Sequence, residues 1–81
     1  MALSYPAIIC KENGSFWAEF PDLEGCFSDG DTLEEVITNA SESLSGYIAS
    51  LIDRGIQVPT PSDPDSISPE AGLVYLIPFK R

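Results

Sequence analysis

Four carboxylates in one short stretch, Asp22, Glu24, Asp29 and Asp31, are the side chains best placed to do chemistry in this sequence. Grouped on loops, carboxylates bind Mg²⁺ or Ca²⁺, and two-metal nucleases cleave phosphodiesters with such groups. Asp29-x-Asp31 opens like a calcium loop, yet the third oxygen ligand and the closing glutamate are missing. The same aspartates suit a turn and a helix start, where their oxygens accept nearby N–H groups and complement the helix dipole. That reading accounts for them without a metal. Nucleophilic catalysis is poorly served: Cys10 and Cys26 are far apart, and the chain contains no histidine to activate a thiol or ligate a transition metal. Each cysteine adjoins an apolar residue, Ile9 or Phe27, which favours buried reduced thiols over a single disulfide, the alternative that the sequence leaves open. Ser41, Ser43 and Ser45 lack a base at a suggestive spacing, and Gly25, Gly30, Gly46, Gly55 and Gly72 are too scattered to cradle a phosphate. Trp17 could stack on a base, but between Phe16 and Phe20 in acidic surroundings it reads as a core or interface anchor. No catalytic constellation, metal site or cofactor site emerges. The chain reads as a binding protein.

The elements around these residues predict an α+β domain in the order β-β-β-α-β. Tyr5 to Cys10 and Ser15 to Phe20 are apolar, aromatic and partly β-branched, and Asn13-Gly14 between them suits a type I′ hairpin turn. A two-residue turn sets Glu12 opposite Ser15, Cys10 opposite Trp17 and Ala7 opposite Phe20. Ala7, Ile9, Phe16, Ala18 and Phe20 then share one face, and Ile8, Cys10 and Trp17 the other. Both faces are apolar, as in a sheet covered on both sides. Pro21 to Gly25 turns the chain into a short third strand, Cys26-Phe27-Ser28, closed by Asp29-Gly30-Asp31. Thr32-Leu33-Glu34-Glu35 forms a capping box, with Glu35 expected to reach back to the cap. Leu33, Val36, Ile37, Ala40, Leu44, Tyr47, Ile48 and Leu51 then form one helical stripe, and Gly55 stops the helix. From Val58 to Glu70 four prolines predict an extended connection without helix. Gly72 to Pro78 is a nearly continuous apolar strand. The sheet should be three- or four-stranded and mostly antiparallel, with the helix on one face. One helix cannot cover both faces, so a second copy, in a dimer or larger homo-oligomer, is the simplest cover for the other.

Composition narrows the class. The 81 residues make one domain, whose own core is marginal at this size. Hydrophobic residues at 43% exclude a disordered chain. No apolar run is long enough to span a membrane and no leader pattern opens the chain, so a soluble, cytoplasmic protein is expected. The net charge of −9 repels phosphate backbones, which argues against nucleic-acid binding by this segment alone and favours a basic partner.

The run Phe16-Trp17-Ala18-Glu19-Phe20-Pro21-Asp22-Leu23-Glu24-Gly25-Cys26, followed by Gly30-Asp31-Thr32-Leu33-Glu34-Glu35, resembles the N-terminal domain of HicB-type antitoxins. The Asn39-Ala40 helix, the Pro59-Thr60-Pro61-Ser62 stretch and the Val74 to Pro78 strand continue the resemblance over nearly the whole chain. It implies a partial ribonuclease-H-like fold without an active site. It also implies a partner: HicA, a small basic mRNA-cleaving toxin, neutralised by covering its catalytic site. In this frame Pro21, Asp22, Gly25, Cys26, Gly30, Thr32 and Glu35 are structural motif residues. Many members carry a C-terminal DNA-binding domain. Residues 1–81 are expected to be the toxin-binding domain alone, with the chain ending at Lys80-Arg81 where such a domain would begin. The toxin contacts expected are Glu19, Asp22, Glu24 and Asp29, with Trp17 or Tyr75 as the apolar anchor. Two alternatives stand beside this: a carboxylate-dependent nuclease using Asp22, Asp29 and Asp31, and a self-associating module without a toxin.

Overall fold

The computed structural model describes residues 4–67 and 72–79. Strand β1, Ser4–Glu12, turns at Asn13-Gly14 into β2, Ser15–Glu19. Both turn residues have positive φ, 52° and 82°, as a type I′ hairpin requires. The register is the expected one, with Cys10 opposite Trp17 and Glu12 opposite Ser15. Strand β3 is Phe27–Gly30, helix α1 is Leu33–Asp53, and strand β4 is Leu73–Pro78. The strands lie in the order β3-β2-β1-β4, and every neighbouring pair is antiparallel.

Helix α1 begins where the local chemistry says it should. The Thr32 hydroxyl accepts the Glu35 N–H at 3.1 Å. The returning bond differs from expectation: Glu35 Oε1 accepts from the Asp31 N–H at 3.4 Å, one residue before the cap. At the far end Ile56 N–H reaches Leu51 O and Gly55 N–H reaches Ile52 O, a Schellman closure. The stripe Val36, Ala40, Leu44, Ile48 and Leu51 is buried, with Leu33, Ile37 and Tyr47 packed at its margins. It lies on the sheet face built from Tyr5, Ala7 and Ile9 of β1, Ala18 and Phe20, and Ile77 of β4. Complete burial of a leucine such as Leu44 stabilises the fold by about 1.5–3 kcal/mol.

Two expected boundaries change. Strand β3 starts at Phe27, because Cys26 is occupied in the preceding turn: its N–H donates to Leu23 O and its carbonyl accepts from Phe20 N–H. The strand also runs on through Asp29 and Gly30, which pair with Trp17 and Phe16. Pairing with β2 outweighs their turn preference. The proline-rich connection is not wholly extended. Pro64–Ser66 makes one 3-10 turn, with Asp63 accepting the Asp65 N–H and proline in the first position, where its missing N–H costs nothing. Residues 68–71 of that connection, and the basic end Lys80-Arg81, lie outside the described residues. No helix among the described residues is long and apolar enough to cross a membrane.

Candidate partner-binding face

The face of the sheet turned away from α1 is set by strand parity. Residues directly opposite in an antiparallel pair share a face, so Ile8, Glu19 and Phe27 line one row, and Cys10, Trp17 and Asp29 the next. Pro6 with Leu76 and Ile8 with Val74 extend this face to the β4 edge. Phe27 is 64% exposed and Leu76 53%, while Ile8, Trp17 and Val74 are half-buried. Trp17, Phe27, Ser28 and Asp29 line an open groove of about 410 Å³. A second depression of about 450 Å³ has Glu19, Glu24 and Phe27 in its wall. Phe27 thus stands between the two, with a carboxylate in each. Apolar anchors ringed by acids can desolvate a partner at the centre and attract positive charge at the rim.

The loop that carries these groups is built from two successive turns. Leu23 N–H returns to Phe20 O, with Pro21 in the position whose φ proline presets. Cys26 N–H returns to Leu23 O, and Gly25 supplies the positive φ of 83° that the second turn needs. Leu23 is thereby driven into the core, 1% exposed, while Glu24 is left in solvent. The Tyr47 hydroxyl on α1 donates to Glu24 O at 2.8 Å, which ties the loop to the helix. Asn39 Nδ2 donates to Asp29 O at 2.9 Å. At Gly30 the β3 backbone touches the start of α1: a Cβ there would sit 2.6 Å from Val36 N, so no larger residue fits. Cys26 is buried, and burial pushes its thiol up to about 11.

The expected contact residues separate. Trp17, Glu19 and Asp29 lie together on the open face, with Glu24 beside them. Asp22 points elsewhere: its carboxylate accepts both the N–H and the hydroxyl of Ser62. Tyr75 is on the opposite side, across from Ala7 and packed against the helix-side core. Phe27 was absent from the expected set although it is the most exposed large apolar residue of the face. The sequence alternation Phe27-x-Asp29 hints at it, but the register that sets these residues opposite Glu19 and Trp17 comes only from the strand pairing. Asp22, Asp29 and Asp31 do not assemble a metal site, since among the described residues no three His, Cys, Asp or Glu side chains gather closely enough to hold an ion.

Residues 5–74 match the family model described as the HicB-like antitoxin of bacterial toxin-antitoxin systems. The chain belongs to the HicB-like antitoxin family. Over 68% of its length it is 40% identical to a 14.9 kDa protein of Haemophilus phage HP1, and that segment spans 41% of the phage protein. Among solved structures it resembles a chain of the HicA3 and HicB3 toxin-antitoxin complex, with a TM-score of 0.79 and 31% identity over all of both chains. It also resembles the N-terminal domain of Burkholderia pseudomallei antitoxin HicB, with a TM-score of 0.82 and 26% identity, covering 93% of this chain and 95% of that one. The double turn from Phe20 to Cys26, the Gly30 contact and the Thr32 cap are therefore the physical content of the motif this HicB-like chain carries.

Proposed function

We propose that this HicB-like chain is a cytoplasmic antitoxin that neutralises a small, basic, RNA-cleaving toxin of the HicA type by binding it, without catalysis. The observation that carries the reading is the open sheet face on which Phe27 and Trp17 stand among Glu19, Glu24 and Asp29. A surface that grips RNA must be positive. An acidic face with aromatic anchors is complementary to it, in a chain whose net charge is −9. Membership of the antitoxin family supports the role, and so does the likeness to a chain of a toxin-antitoxin complex.

The deciding experiment titrates the chain into an RNA-cleavage assay with a HicA-type toxin encoded beside it. Wild type should stop cleavage at stoichiometric ratio, and Phe27→Ala should require a large excess. Unimpeded cleavage at excess wild-type chain would end the reading. RNA cleavage by the chain alone in Mg²⁺ would replace it with the nuclease alternative.

A further inference from the structure

We infer that the basic partner docks by strand addition: an extended segment of it hydrogen-bonds along the free edge of β3. The inference rests on the toxin reading and adds to it the backbone conformation of the partner at this face. Strand β3 ends the sheet on the side away from β4. Which of its backbone groups face outward follows from the hairpin turn. A two-residue turn makes its flanking residues, Glu12 and Ser15, a bonded pair. By alternation Trp17 and Glu19 direct their backbone groups to β1, and Phe16 and Ala18 direct theirs to β3. The Phe20 N–H donating to Cys26 O continues the same alternation past the strand end. Ser28 and Gly30 are therefore tied to β2, while the N–H and C=O groups of Phe27 and Asp29 turn to the free edge. Both residues are exposed. Among the described residues the one hydrogen bond made to these outward groups is from Asn39 Nδ2 to Asp29 O, a carbonyl with a second lone pair.

The edge runs between two depressions. On the outer face is the groove of about 410 Å³ lined by Trp17, Phe27, Ser28 and Asp29. On the helix side is one of about 310 Å³ lined by Thr32, Glu34, Glu35, Thr38 and Asn39, and the Asn39 bond places it against β3. Side chains of a strand alternate between faces, so residues opposite Phe27 and Asp29 would enter the outer groove and the residue between them the helix-side one. Both depressions carry carboxylates, Asp29 in the first, Glu34 and Glu35 in the second. The occupant that fits is a strand of a basic partner with Lys or Arg on both its faces. A second copy of this chain fits poorly, because its β3 would bring another Asp29 against these acids. The edge is short: at Gly30 the backbone closes against Val36 of α1, so the ladder stops after two bonded pairs.

Amide hydrogen exchange tests this, on the chain alone and saturated with the HicA-type toxin encoded beside it. In the free chain the Ser28 and Gly30 amides should be protected and those of Phe27 and Asp29 open. In the complex, exchange at Phe27 and Asp29 should slow by at least about tenfold. Asp29→Pro removes an outward N–H, a change that an edge strand tolerates. It should weaken toxin binding at least about tenfold beyond Asp29→Asn, which loses the same charge but keeps the N–H. A complex in which Phe27 and Asp29 exchange as in the free chain overturns strand addition and leaves the toxin reading standing. So does equal binding by the Asp29→Pro and Asp29→Asn variants. A toxin that forms no complex with the wild-type chain overturns both.

Discussion

Asp22 and Ser62 are separated by 40 positions in the chain and joined by two hydrogen bonds, one from the Ser62 N–H and one from its hydroxyl. With the Tyr5 hydroxyl donating to Pro59 O at 2.6 Å, they moor the proline-rich connection to the β2–β3 loop and to β1. The aspartate of the family motif therefore holds structure together. A hydrogen bond to a charged acceptor contributes about 1.5–3 kcal/mol, more than the usual neutral bond.

Asp22→Ala should therefore lower stability by about 1.5–3 kcal/mol, with Ser62→Ala costing less because the backbone bond survives. Urea denaturation measures both. If the Asp22→Ala midpoint matched wild type, the tie would be absent in solution and Asp22 would be free to meet a partner.

Leu44→Ala should cost about 2–5 kcal/mol, the range for a leucine removed from a packed core. Leu44 is fully buried at the middle of the α1 stripe. A thermal melt indistinguishable from wild type would mean that the helix presents a different face to the sheet.

Toxin binding should divide between rate and residence. Changing Glu19, Glu24 and Asp29 to their amides should slow association and flatten its salt dependence, because rim charges act by steering. Phe27→Ala or Trp17→Ala should instead speed dissociation by about thirtyfold, as expected for a buried aromatic anchor near 2 kcal/mol. Surface plasmon resonance at two salt concentrations separates these effects. An unchanged salt slope in the triple amide variant would remove electrostatic complementarity from the mechanism.

Stability should fall on the alkaline side. Burial raises the Cys26 thiol from an ordinary 9.0 to about 11. Tyr5 is likewise raised, by burial first and by the Asp22 charge second. For an acid with a raised folded value the folded state holds its proton longer. Its contribution is complete below the unfolded value and is lost as pH rises through the folded one. Melting temperature should drop between about pH 9 and 11, and Cys26→Ala should make that drop shallower. In the native chain Cys26 should also resist alkylation at neutral pH, where it is a buried thiol and not a thiolate. An equally steep alkaline decline in Cys26→Ala would assign the loss to other groups.

Much of this molecule was decided locally and could be read from the residues in order. Asn13-Gly14 demanded a positive-φ turn, and that turn alone set Cys10 against Trp17 and sorted β1 and β2 into two faces. Thr32 and Gly55 bounded a helix whose 3.6-residue stripe named its own buried side. These are short-range constraints, acting within a turn or a hairpin, so the sequence carries them in full. The contacts of β4 are of another kind. Leu73 to Ile77 is apolar without alternation, and a pattern without alternation holds no information about which residues face the helix. Only pairing with β1, more than sixty positions earlier, set Tyr75 opposite Ala7 on the core side and left Val74 and Leu76 outside. The open face was settled in the same way. Phe27 and Asp29 joined Glu19 and Trp17 because β3 pairs with β2 beyond the turn chemistry that suggested it would stop. Asp22 was drawn away from that face by Ser62. Each of these depends on where distant segments meet, and that is fixed by packing the whole core at once, not by the preferences of any one segment.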